Sequence, residues 1–316
     1  MIVRDRPSAF RLFFITRGSI VPRIAPQILL AAILGGVVTF LHERAPEQFP
    51  VLTVVPFTLI GLAFAIFLGF RNNAAYDRYW EGRKLWGQLL IDTRSLARQC
   101  TMLIGPRMAD GQPGEAAEAR EVSGRMVYTA IGYAHALRHH LRGTKPDDDL
   151  AGYLPQGDMA AALARSNVPD GVLALLGRDL RLCLQRGWIS DQLALAIDER
   201  LTSMAAVLAG CERIRNTPLP FAYTLLLHRT AYLYCFLLPF GLVDTIGAMT
   251  PLVVAIISYT FFGLDALGDE IEEPFGDLPN DLPLSAMSRT IEINLRQALG
   301  EKDVPPPLQP VDYCLM

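Results

Sequence analysis

The stretch FLGFRNNAAYDRYWEGRKLWGQLL, Phe67 to Leu90, changes character within a few residues. It opens as the end of an apolar run and turns at once to Arg71, Asn72 and Asn73. Tyr76, Tyr79, Trp80 and Trp86 then alternate with Asp77, Arg78, Glu81, Arg83 and Lys84. Tryptophan and tyrosine favour a membrane–water boundary, and arginine and lysine anchor a span on its cytosolic side. An aromatic and basic collar accounts for most of the stretch. It does not account for the two asparagines or for the close mixing of acids and bases. Those read as a helix that continues out of a bilayer with polar contacts along it.

The residues around the stretch supply the bilayer. Val51–Phe70 carries no charge, and neither does Ile24–Leu41. Each has about 18–20 residues, enough to cross a ~30 Å hydrocarbon core as a helix. The short link HERAPEQFP predicts an antiparallel hairpin. Two further apolar segments, Phe221–Val243 and Met249–Leu267, are joined by DTIGA. His228 and Arg229 fall in the first turns of the third segment, so that helix is predicted to start in the cytosol and enter the bilayer near Thr230. Pro239 predicts a kink. A mean hydropathy of +0.26 agrees with this concentration of apolar residues.

Basic residues set the orientation. Arg4, Arg6, Arg11, Arg17 and Arg23 precede the first segment, and Arg71, Arg78, Arg83 and Lys84 follow the second. The first link holds only Arg44, and the link between the third and fourth segments holds no basic residue. Both termini and the middle region are therefore expected in the cytoplasm of a multi-pass protein of the cell inner (plasma) membrane. The start of the chain lacks a signal-peptide core and cleavage site and reads as mature chain. The expected organisation is a cytosolic segment 1–23, two membrane helices in 24–70, a cytosolic helical domain 71–220, two membrane helices in 221–267, and an acidic segment with a Pro-rich tail over 268–316. In the middle region SGRMVYTAIGYAHALRHHLRG, DGVLALLGRDLRLCLQRG and SDQLALAIDERLTSMAAVLAGCERIR have helical periodicity, and TKPDDDLAGYLPQGD reads as a polar loop.

Several classes of function are excluded. A net charge of −3 gives no footprint for nucleic acid. The five cysteines form no CxxC pair, which argues against a zinc site or a disulfide framework. No phosphate loop or H-E-x-x-H motif is present, so the chain is not expected to be an enzyme. His135 and His139 have metal-ligand spacing on a helix, but the sequence places no acid beside them, and a packing role is the reading.

On the second apolar segment Gly61, Ala65 and Gly69 form a smooth stripe that would let helices approach closely. Leu62, Ile66 and Phe70 form a bulky stripe beside it. Such a row faces lipid, a partner helix or a pore, and the pattern alone leaves all three open.

The opening stretch resembles the signature of the bestrophin family of ion channels, in its bacterial branch. VLAGCERIRNTPLPFAYTLLLHRTAYLY (Val207–Tyr234) and SYTFFGLDALGDEIEEPFGDLPNDLPL (Ser258–Leu284) agree with it, and the likeness is weakest over about 100–185 and the tail. The resemblance implies an all-α integral membrane protein, a homopentamer around one axial pore, with four membrane helices per subunit continuing into a cytosolic helical body. It implies that Leu62, Ile66 and Phe70 form a hydrophobic neck and that Gln192 or Leu193 forms a second constriction at the cytosolic exit. The runner-up reading of Gln192 is a position next to a Ser190 helix cap. In animal members an acidic run after PFG binds calcium. Here Asp277, Asn280 and Asp281 keep partial register while Leu278 and Pro279 replace ligands, so no cofactor is expected to be required and calcium stays a secondary reading. The alternative is a solvated acidic turn closed by basic residues of a neighbouring helix.

The expected function is a passive channel gated by dewetting of the neck. Its partners are further copies of the chain, the lipid bilayer and permeating monovalent ions. Cations such as sodium are favoured, from the bacterial branch and from the acidic residues Asp265, Asp269, Glu270, Glu272 and Glu273, which would concentrate cations. A chloride or other anion channel is the alternative. An alternative of another class is a membrane-anchored sensor or scaffold that binds a partner through its cytosolic helices or the DVPPPLQP tail.

Overall fold

The computed structural model describes residues 1–4, 8–12, 14–47, 50, 52–106 and 114–316. Arg6, and Val51 at the expected start of the second apolar segment, lie outside them. The described residues form α1 (Ala9–Leu12), α2 (Val21–Arg44), α3 (Val54–Leu103), α4 (Glu115–Arg142), α5 (Asp147–Leu150), α6 (Gln156–Leu163), α7 (Val168–Gln185), α8 (Asp191–Asn216), α9 (Phe221–Ile246), α10 (Thr250–Glu272) and α11 (Leu284–Ala298). No strand occurs among them beyond isolated bridges at the chain ends. The chain is all-helical, as expected.

Among the described residues three segments are long and apolar enough to cross a membrane: Val21–Arg44, Val54–Leu103 and Phe221–Glu272. The last consists of α9 and α10 joined by a single 3-10 turn, Gly247–Met249. Gly247 closes α9 at a φ of 50°. Pro239 lies inside α9, and the helix runs on through it.

The chain divides into two compact units. One, here the apolar unit, comprises Arg4–Trp80 and Pro218–Pro274. Its core joins Ile24 of α2, Phe64 and Leu68 of α3, Leu227, Ala231 and Cys235 of α9, and Phe262 and Ala266 of α10. A second cluster joins Ala31, Phe57, Leu238 and Val254. Close approach is made by glycines the sequence did not single out. A Cβ on Gly241 would lie 2.6 Å from the Phe57 ring, and one on Gly35 would lie 3.1 Å from the Pro251 backbone.

The other unit, the helical body, comprises Met1–Val3, Glu81–Thr217 and Phe275–Met316. Trp86, Leu89, Leu96, Met126, Ile131, Leu137, Leu176, Ile197, Met204 and Leu295 are fully buried in it. Several of its buried polar groups find partners within the chain, while the indole N–H groups of Trp86 and Trp188 do not. Tyr133 donates to the Met204 carbonyl at 2.7 Å, and Asp92 accepts from Ser203 at 2.6 Å and Gln88 at 3.0 Å. The three middle segments predicted as helices lie in α4, α7 and α8, and α4 starts earlier than its sequence pattern suggested. The segment read as a polar loop contains α5 and the start of α6. Its three aspartates fill the first turn of α5, where unpaired backbone N–H groups favour negative charge. The chain ends pair with each other: Val3 N donates to Tyr313 O at 2.9 Å, and Leu315 N donates to Met1 O at 2.8 Å.

Candidate pore-lining face

The quoted stretch lies wholly inside α3, which is helical without interruption from Val54 to Leu103. The expectation of a helix running on past Phe70 is met. The division between the units falls inside it, between Trp80 and Glu81.

Within the apolar unit α3 has two distinct sides. Phe57, Gly61, Phe64, Leu68, Arg71 and Ala75 are buried, at steps of three or four residues, so they form one face. Leu62, Ile66 and Phe70 are exposed by 63%, 49% and 61%. At about 100° per residue they lie on the side opposite the buried face. The chain itself therefore leaves this bulky row uncovered. The same stripe continues to Asn73 and Asp77, both exposed. The order along it is apolar, apolar, aromatic, amide, carboxylate. The smooth stripe expected for close packing is used only in part: Gly61 meets Tyr234, where a Cβ would lie 2.7 Å from the hydroxyl, while Ala65 and Gly69 are exposed.

Directly after Phe70 sits a buried charge. Arg71 is fully buried. Its guanidinium donates to the Asp265 carboxylate at 3.0 Å and the Asp265 carbonyl at 3.1 Å, to Asp269, and to Glu272 at 3.5 Å. Asp265, Asp269 and Glu272 are spaced i, i+4, i+7 and so share one face of α10. Further donors reach the same carboxylates: His228 Nδ1 to Asp265 at 2.8 Å, Arg23 to Asp269 at 2.9 Å and Leu219 N to Glu272 at 3.0 Å. Asn72 donates to the Leu264 carbonyl at 3.0 Å, and Arg78 donates to the Glu272 carbonyl at 3.1 Å. This network holds α3 against α10 at the level where the row of Leu62, Ile66 and Phe70 ends. The sequence showed the acids and the arginine but not that they meet; the i, i+4, i+7 spacing was the available signal.

The other site residues fall in the helical body. Gln192 and Leu193 are exposed in the first turn of α8, with Ser190 as N-cap accepting from Leu193 N at 3.4 Å. Asp277 pairs with Arg142 at 3.0 Å, and Asp281 accepts from Leu278 N at 2.7 Å. No group of three or more metal-binding side chains of the His, Cys, Asp and Glu types is formed among the described residues. The sequence placed no acid beside the histidines, but the fold does: His139 Nε2 lies 2.7 Å from Asp149, and Arg138 donates to the same carboxylate. The same guanidinium lies 2.7 Å from His139 Nε2. Burial pushes the thiols of Cys183 and Cys211 up, to about 11 and about 12, so neither is poised as a nucleophile.

Comparison with known proteins places this geometry in a family. The family model of the bacterial/fungal bestrophin proteins matches residues 1–297. A voltage-dependent anion channel-forming protein of Mesorhizobium japonicum is 45% identical over 99% of this chain and 96% of its own length. The Escherichia coli K12 protein YneE, named in the same way, is 42% identical over 98% of both chains. The crystal structure of a bacterial bestrophin homologue from Klebsiella pneumoniae superposes with a TM-score of 0.81 at 40% identity, covering 89% of this chain and all of that one. The chain belongs to the bacterial/fungal bestrophin family, whose members are membrane ion channels and not enzymes.

Proposed function

We propose that this bestrophin-family chain assembles as a homopentamer around one axial pore, with four membrane helices per subunit and both termini in the cytoplasm of a bacterial inner membrane. Rings of Leu62, Ile66 and Phe70 form its gate. The observation that carries the reading is the exposed bulky row on α3, set opposite the face that packs on the chain's own helices. A narrow ring of apolar side chains offers no ligand to replace the water an ion must shed, so it closes by dewetting. Gln192 and Leu193, both exposed at the start of α8, are assigned to a second constriction at the cytosolic exit.

Monovalent cations are the proposed permeant ions, on grounds that the fold changes. The carboxylates Asp265, Asp269 and Glu272 are engaged by Arg71, Arg23 and His228, which removes much of their power to concentrate cations. Asp77 is exposed on the neck stripe two turns beyond Phe70 and supplies that field instead. A second reading, conduction of anions, is favoured by the names of the Mesorhizobium and Escherichia relatives. Calcium is not required in either.

Purified protein in planar bilayers under a salt gradient tests both. A reversal potential on the cation side, moved toward zero by Asp77→Asn, supports the cation reading; one on the anion side replaces it. Alanine at Leu62, Ile66 and Phe70 together should raise the open fraction by about tenfold or more, the effect of removing an apolar barrier of over about 1.4 kcal/mol. An unchanged open fraction overturns the neck as gate.

A further inference from the structure

Ahead of α2 the chain carries an aromatic pair that the channel reading leaves unused. Phe10 and Phe14 are 74% and 71% exposed, and their rings lie 5.3 Å apart between centroids. Exposed residues Arg4, Arg11 and Arg17 surround the pair in sequence. Counting Arg6, the segment up to Ser19 holds four arginines against one acid, Asp5. We propose that Phe10 and Phe14 form an interfacial anchor: the two rings enter the headgroup–acyl boundary, and Arg4, Arg11 and Arg17 hold anionic phospholipid headgroups beside them.

Position and charge together select this occupant. Phe14 is seven residues before Val21, the first residue of α2. A chain of that length spans roughly 25 Å at most. The actual path is tighter, because Phe14 N donates to Arg11 O and Ser19 N to Thr16 O, each at 3.2 Å, and Gly18 turns the chain at a φ of 74°. The pair is thus held close to the end of an apolar span. Two exposed phenyl rings near a bilayer surface gain by leaving water for the boundary region. Clustered arginines at the same level are drawn to anionic lipid, and that attraction weakens with salt. The segment would fix the height at which α2 enters the bilayer, and Arg23 in the first turn of α2 passes that height to Asp269 of the Arg71 network.

The inference rests on α2 crossing the bilayer, and the test separates the two. Full-length Phe10→Trp and Phe14→Trp proteins are reconstituted in vesicles of phosphatidylcholine, alone or mixed equally with phosphatidylglycerol, with plain or acyl-brominated chains. Wild-type emission from Trp80, Trp86 and Trp188 is subtracted as background. Ile33→Trp, at an exposed position of α2, reports on the span itself. The expected result is about twofold quenching of the added tryptophan in brominated vesicles containing phosphatidylglycerol, lost at high salt and in an Arg4→Gln/Arg11→Gln/Arg17→Gln background. Quenching at Ile33→Trp with none at either phenylalanine position overturns the anchor, giving the pair to water or to a second copy. Absence at all three overturns the span. Equal quenching without phosphatidylglycerol overturns the anionic headgroup as the ligand.

Discussion

Arg71 in the apolar unit and Arg178 in the helical body do the same chemical job under opposite conditions. Each holds carboxylates through its guanidinium. Arg71 is fully buried and serves Asp265, Asp269 and Glu272. Arg178 is half exposed and grips Asp158 with two bonds of 2.5 and 2.8 Å, with Asp179 at 3.2 Å. The apolar unit puts its apolar side chains outward and gathers charge into one buried knot. The helical body closes its core on Trp86 and Leu176 and distributes its ion pairs among many sites, each with an arginine at least partly exposed at Arg125, Arg178 and Arg200. Geometry is no guide to the energetic weight of these pairs; the solvent each would return to is.

The largest expected effect follows directly. Replacing Arg71 by leucine removes the shared cation from the buried carboxylates of Asp265 and Glu272, and removing one partner of a buried pair costs about 3–5 kcal/mol. Arg71→Leu should fail to give folded protein from detergent, or should unfold far below wild type in a thermal melt. Adding Asp265→Asn and Asp269→Asn should recover part of the loss, since the uncompensated charge, not the missing bond, is the main penalty. Arg178→Leu should cost less, because Arg178 is half exposed and the buried Asp179 keeps two bonds from Arg125. Equal losses for the two arginines would break the contrast.

A smaller pair of substitutions probes packing in the same two places. Gly241 of α9 faces the buried Phe57, and a Cβ there would sit 2.6 Å from the ring. Gly241→Ala should destabilise by about 1–3 kcal/mol through overpacking. Gly124 in α4 has open space where a Cβ would go, with nothing within 4 Å. Gly124→Ala should stabilise by roughly 0.5–1 kcal/mol, from helix propensity alone. Unfolding midpoints with opposite signs are the expected outcome.

These contrasts mark what was legible in the residues. The apolar segments, the unbroken α3 and the row of Leu62, Ile66 and Phe70 were, because hydropathy and a period near 3.6 are local properties. Helix α5 was not, because three consecutive aspartates look like solvated loop until a helix start is there to receive them. The meeting of Arg71 with α10 was not, because the i, i+4, i+7 spacing shows the acids sharing a face but does not name a partner 194 residues from Asp265. Nor was the placing of Asp149 beside His139: its nearness depends on the turn after α4, closed by Gly143 at a φ of 67°. The expected stripe of Gly61, Ala65 and Gly69 shows the converse error. Spacing identified a smooth row, but Gly61 meets Tyr234 while Ala65 and Gly69 are exposed, and Gly241 and Gly35, which no stripe picked out, make close approaches of their own.

The smallest effect concerns proton uptake at the surface pair. The hydrogen bonds from Arg178 hold the Asp158 carboxyl below its ordinary value of 3.8. The unfolded chain therefore takes up this proton at a higher pH than the folded one does. The contact contributes in full above the unfolded value, and the contribution is lost as pH falls through the folded one. Asp158→Asn cannot titrate. The stability gap between wild type and this variant should be constant between about pH 5 and 7 and should close below about pH 4. It should also shrink with added salt, because Arg178 is half exposed and screening reaches the pair. Chemical unfolding at a series of pH values and two salt concentrations measures both trends. A gap that survives acid and salt would mean that Asp158 acts through its fixed bidentate geometry instead of its charge. The surface pair would then resemble Arg71 more closely than its exposure allows, and the division between the two units would have to be drawn on packing and no longer on solvent.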